Sequence, residues 1–89
     1  MISHITQKFR EAFNRLPKTI KKQAKEAFHL FNQNPYHPSF HFKRVHRSKA
    51  IYSVRISRDY HAVCVRNGDE ITWFWIGSHK DYEELLSHL

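Results

Sequence analysis

Apolar residues recur along the first third of the chain at steps of three and four, the spacing of one helix face. Ile5, Phe9, Ala12, Phe13 and Leu16 form one such stripe. Pro17 cannot continue a helix interior but suits the first turn of a new helix. Beyond it Ile20, Ala24, Ala27, Phe28 and Phe31 make a second stripe, with Lys18, Lys21, Lys22 and Lys25 on the opposite face. The segment Asn32–Pro38 (NQNPYHP) carries two prolines and ends that helix. Two helices so closely joined predict a helical hairpin.

After Pro38 the period drops to two. Phe40–Lys43 and Tyr52–Ile56 alternate, and both read as strands, the first within an edge strand over Ser39–Val45. Tyr60–Val65 and Ile71–Ile76 (ITWFWI) are apolar on both faces, as in central or well-covered strands. Arg66-Asn67-Gly68-Asp69 signals a hairpin, because Asn-Gly supplies positive φ angles, and Ser57-Arg58-Asp59 is a second short connection. Ser78 three residues before Asp81 fits a helix start, and Tyr82, Leu85, Leu86 and Leu89 give a closing helix its buried side. The expectation is one α+β domain over residues 1–89. A helical hairpin packs on a four-stranded antiparallel sheet, and a short C-terminal helix follows.

Register determines which polar residues meet. A three-residue loop at Ser57-Arg58-Asp59 would pair Ile56 with Tyr60 and Arg55 with His61. Tyr52, Val54, Ile56, Tyr60, Ala62 and Cys64 then share the face covered by helices. Ser53, Arg55, Ser57 and His61 share the other face, with opposed Cβ atoms about 5 Å apart. The end of ITWFWI emerges beside the start of the preceding strand. Arg55, Arg58, His61 and His79 should therefore converge at one edge of the open face.

Charge sharpens this picture. The 89 residues carry 15 Lys and Arg against 8 Asp and Glu, a net charge of +7 that favours a polyanionic partner. Residues 1–50 hold eleven basic and two acidic side chains, and residues 51–89 hold four and six, so the basic surface belongs to the first half. One cysteine excludes a disulfide framework and a multi-Cys zinc site, and Cys64 reads as a small core residue. His37 and His41 have metal-like spacing but lie across a proline loop with no third ligand, so neither metal nor cofactor is expected. Trp73, Phe74 and Trp75 read as core of a central strand rather than as base-stacking residues. No apolar run approaches the ~20 residues of a membrane span, and Met1–Gln7 lacks the apolar core of a signal peptide. A cytoplasmic domain without a membrane partner is expected.

The run IYSVRISRDYHAVCVRNGDEITWFWIGSHKDYEELL resembles the C-terminal half of the RelE/ParE toxin superfamily, and the helices and NPYHPSFHFKRV before it fit the same pattern. The resemblance implies the toxin arm of a type II toxin–antitoxin pair, partnered by an acidic antitoxin. Many members are metal-independent endonucleases that cut mRNA on the ribosome, whereas the ParE branch poisons DNA gyrase. Arg55 matches a basic strand position that contacts the scissile phosphate. His79, in Gly-Ser-His, matches a functional histidine of YafQ-like relatives, and Tyr82 lies near a C-terminal tyrosine used by others. His61 departs from the pattern, which usually has arginine there. Met1–Ile5 also leaves little length for the family's first strand.

On this resemblance His79 and His61 are the proton-transfer pair for attack by a ribose 2′-hydroxyl, giving a cyclic phosphate. Arg55 and Arg58 stabilise the phosphate charge, because histidine titrates near neutrality and arginine presents a fixed fork of donors. Lys43, Arg44 and Tyr82 are candidates for RNA contact. The Lys18, Lys21, Lys22 and Lys25 face and the Ser39–Val45 edge are candidates for antitoxin docking. A gyrase inhibitor and a non-catalytic nucleic-acid-binding module are the alternatives from other functional classes.

Overall fold

Local capping chemistry sets where the helices begin. The computed structural model describes residues 1–89. Thr6 ends a first strand, β1 (Ile2–Ile5), and its Oγ1 accepts from the Phe9 amide at 3.1 Å, so α1 (Gln7–Asn14) starts two residues after Ile5. Pro17 is the residue before α2 (Lys18–Gln33), and its carbonyl accepts the first helical bond, from Lys21. A 3-10 turn (Pro38–Phe40) and a two-residue strand, β2 (Lys43–Arg44), follow. Then come β3 (Ile51–Ser57), β4 (Tyr60–Asn67), β5 (Glu70–Ser78) and the closing helix α3 (His79–Ser87). Ser78 caps α3 as its spacing implies, accepting from the Asp81 amide at 3.2 Å. No helix is long and apolar enough to cross a membrane.

The fold is α+β, with one more strand than the pattern predicts. The sheet is mixed and five-stranded, in the order β1-β5-β4-β3-β2. β1 lies parallel to β5, with Ile2 opposite Glu70 and Ile5 opposite Trp73. All four β1 residues are exposed, so no buried alternation marks the strand in the sequence. Backbone bonds hold it, from the Ile2 amide to the Asp69 carbonyl and from the Thr6 amide to that of Trp73.

The edge strand expected over Ser39–Val45 shrinks to two residues. His37 Nδ1 accepts from the Ser39 amide and starts the 3-10 turn, and His41 sits in the left-handed region at φ 46°. Phe40 and Phe42 then both turn onto Phe31, at 5.6 and 5.2 Å between ring centroids, which strand alternation should also allow but a straight ladder does not develop. The β4–β5 turn uses Gly68 and Asp69, with Asn67 paired to Glu70; only Gly68 has positive φ, the pattern of a type II′ turn.

Two irregularities decide which side chains face which way. Arg55 pairs with His61 as expected, but Ser57 rather than Ile56 pairs with Tyr60, leaving Ile56 as a bulge. In the next ladder Val63 opposes Trp75 and Cys64 opposes Trp73, so Phe74 is the extra residue. Trp73 therefore joins the helix-covered core with Phe9, Phe31, Val54, Ala62 and Ile71. Trp75 instead packs beside a smaller cluster of Ile51, Val63 and Tyr82 under α3. Cys64 is fully buried in the main core, where burial pushes its thiol up to about 12.

Candidate functional site

The sheet face under α3 is only partly covered, and a cleft of about 340 Å³ opens beside that helix. β3 contributes Ser53 and Arg55, β4 contributes His61, and the turn between them contributes Arg58 and Asp59. His79 and Tyr82 enter from α3, Lys43 from β2, and His41 from the turn just before it. The approach of α3 is fixed by backbone, because the His79 amide donates to the Asp59 carbonyl at 2.7 Å. Register does the rest, placing His61 opposite Gly77 and Tyr60 opposite Ser78. Glycine at 77 leaves room for the Trp75 indole, since a Cβ there would lie 2.8 Å from the ring and force it to shift.

The side chains form a connected set. His61 Nε2 and His79 Nδ1 are 2.7 Å apart, and His79 Nε2 lies 2.7 Å from Glu83 Oε1 one helical turn on. The His61 ring stacks on Tyr82, with centroids 4.2 Å apart and planes 13° from parallel. Tyr82 is held in turn by donating its hydroxyl to the buried Ser53 Oγ at 2.8 Å. Desolvation lowers the His61 pKa to about 4, helped by the nearby charges of His79, Arg55, Lys43 and His41. His61 is therefore a neutral ring at pH 7.

The cations around it are uncommitted. Arg55 spends only its Nε, on the Ser57 carbonyl at 3.4 Å, and no carboxylate pairs with Arg55, Arg58 or Lys43. A neutral imidazole ringed by free cations can accept a proton next to a bound phosphate.

A family model for the ParE-like toxin domain matches residues 18–84, most of the chain. The chain belongs to the ParE-like toxin family. No curated protein matches it by sequence. Its fold is similar to that of the RelB–RelE antitoxin–toxin complex from Methanococcus jannaschii. That match has a TM-score of 0.73 and 19% identity, and covers 92% of this chain and 96% of that one. E. coli YafQ is similar at TM-score 0.72 and 13% identity, over 90% and 94% of the two chains. The RelBE2 toxin–antitoxin complex from Mycobacterium tuberculosis matches at 0.70 and 17%, over 88% and 96%.

In this ParE-like domain Arg55, Arg58, His61 and His79 meet in one cleft, together with Lys43 and Tyr82. Arg44 does not join them. It pairs with Tyr52, and its Nε donates to the carbonyls of His46 and Lys49. Lys18, Lys21, Lys22 and Lys25 lie on α2, outside the cleft and without ion pairs. Sequence reading missed Glu83 and His41. Glu83 was within reach, because a carboxylate four residues after a helical histidine faces it. His41 was not, since its place depends on a left-handed backbone turn that the alternating pattern conceals.

Proposed function

We propose that this ParE-like domain is the toxin of a toxin–antitoxin pair and cleaves mRNA on the ribosome without a metal ion. The observation that carries this reading is the hydrogen-bonded His61–His79 pair beside the unpaired cations Arg55, Arg58 and Lys43. The ribose 2′-oxygen attacks the adjacent phosphorus and loses its proton to the histidine pair. The bond from phosphorus to the 5′-oxygen breaks, and that oxygen takes a proton from solvent water. A 2′,3′-cyclic phosphate and a 5′-hydroxyl result. Arg55 and Arg58 offer donors to the phosphate oxygens as charge builds on them. Because the two rings bond to each other, they act in series on one side of the phosphate rather than as separate acid and base. Tyr82, stacked on His61, supports the ring, and Lys43 extends the cation rim toward the RNA backbone.

The partner reading follows from charge and fold. The lysines of α2 suit an acidic antitoxin segment, and solved neighbours of this fold include antitoxin–toxin complexes. Co-expression with the adjacent small reading frame should then relieve toxicity.

Cleavage of mRNA on translating ribosomes tests the nuclease reading, with circular dichroism on each variant. His79→Ala should lower cleavage by roughly 10²–10⁴-fold while the chain stays folded. Arg55→Ala should lower it by roughly 10²–10³-fold, through lost charge stabilisation. Full cleavage by both folded variants would remove the site. An inactive wild type that blocks supercoiling by purified gyrase would move the domain to gyrase inhibition.

A further inference from the structure

A phosphate-cleaving site sets its proton acceptor a conflict. The cations that attract the phosphate also oppose a positive charge on the base. In this cleft Arg55 faces His61 from β3, Lys43 and His41 from the β2 segment, Arg58 and Asp59 from the turn, and His79 and Tyr82 from α3. An imidazolium at His61 is therefore poorly tolerated. Glu83 lies on the far side of His79, away from these cations, and is the carboxylate bonded into the pair.

We infer that Glu83 is a positioning residue that turns the two histidines into a proton relay, drawing the charge created at His61 outward onto His79. The inference rests on the nuclease reading only for its catalytic consequence. An ionised carboxylate can only accept, so His79 Nε2 carries a hydrogen toward Glu83 Oε1. In the neutral pair His79 Nδ1 is then a lone pair and accepts from His61 Nε2 across 2.7 Å. That leaves His61 Nδ1 as the open lone pair. It makes no hydrogen bond in the protein, and it is not sealed from solvent.

A proton arriving at His61 Nδ1 releases the one on Nε2 to His79 Nδ1. His61 remains neutral, now as the Nδ1–H tautomer, and the positive charge sits on His79 against Glu83. Every proton is accounted for, and no bond to carbon changes. The stack of His61 on Tyr82, itself tied to Ser53, holds the first ring in the plane this exchange needs. Glu83 thus lets the cleft keep its cations and still use a histidine base.

Glu83→Gln preserves the shape of the side chain and removes its charge. Glu84→Gln, at the neighbouring exposed position outside the cleft, is the control. Histidine ¹⁵N NMR on the intact chain reports which ring takes the first proton and at what pH the pair takes it. Ribosome-dependent cleavage across pH 5–8 reports the consequence. The first proton should appear on His79 in the wild type. In Glu83→Gln the pair should take it up at a pH lower by roughly half to one unit, because the stabilising charge is gone. Cleavage on the plateau should fall roughly tenfold, with its acid limb displaced in the same direction, and Glu84→Gln should change neither. A first proton on His61, or the same uptake pH in wild type and Glu83→Gln, overturns the relay. A shifted uptake pH with an unchanged pH–rate profile overturns its role in cleavage. If the wild type does not cut RNA but the NMR results hold, the relay stands as a proton store and only the nuclease reading falls.

Discussion

One sheet carries two differently built faces. Toward α1 and α2 the packing is aromatic and buried, with Phe31 in contact with Phe40, Phe42 and Trp73 at ring-centroid distances of 5.2–5.6 Å. Toward α3 the core is three buried residues, Ile51, Val63 and Tyr82, and it grades into a cleft of histidines, arginines and lysine. Buried apolar area dominates folding energy, so the first face carries most of the stability. The second face can then leave cations unpaired and a histidine half-buried, arrangements that cost free energy. The lesson is a division of labour across a single layer of backbone.

The largest break in that comparison should come from the helix side. Phe31 is 1% exposed, and Phe31→Ala should cost roughly 3–5 kcal/mol, much of the stability of a domain this small. Thermal unfolding followed by circular dichroism should show the midpoint falling by more than about 12 °C. A fall no greater than that of a cleft variant would show that the two faces share the load evenly.

A smaller effect is expected where the α3 core meets the cleft. Tyr82→Phe removes the donor to Ser53 and leaves a buried oxygen unpartnered, which should cost about 1–2 kcal/mol in urea unfolding. Adding Ser53→Ala should cost less than the sum of the two single changes, since the orphaned group goes with it. Strict additivity would mean that the hydrogen bond contributes nothing.

The smallest effect concerns pH. His61 titrates at about 4 when folded and near 6.5 when unfolded, so the unfolded chain binds the proton first as pH falls. Stability from this group is complete above about pH 6.5, declines between 6.5 and 4, and levels off below. The open cleft screens the effect, so the decline should be modest. His61→Gln should flatten the stability difference between pH 7 and pH 5; an unchanged difference would place its origin elsewhere.

Much of this was written in the order of residues. Helical spacing located α1 and α2, alternation and apolar runs located β3, β4 and β5, and Ser78 with Asp81 located α3. The pairing of Arg55 with His61 is legible from a short turn between two strands, and it holds although the turn is one residue shorter than expected and Ile56 bulges to compensate. Local rules reach that far because hairpin pairing and helix capping depend mostly on neighbours in the chain, whereas the bulges at Ile56 and Phe74 do not.

What the sequence could not decide was set by contacts between distant segments. β1 exists because β5 offers it an open backbone edge, which no pattern within four exposed residues can announce. The bulge at Phe74 sends Trp73 and Trp75 into separate clusters although their spacing puts them on one face of a regular strand. The bond from the His79 amide to the Asp59 carbonyl closes the last gap, bringing a helix end against a turn twenty residues earlier. From that single approach come the His61–His79 contact and the stack on Tyr82. Periodicity can assign a side chain to a face, but angstrom-scale distances between faces arise only when whole elements pack.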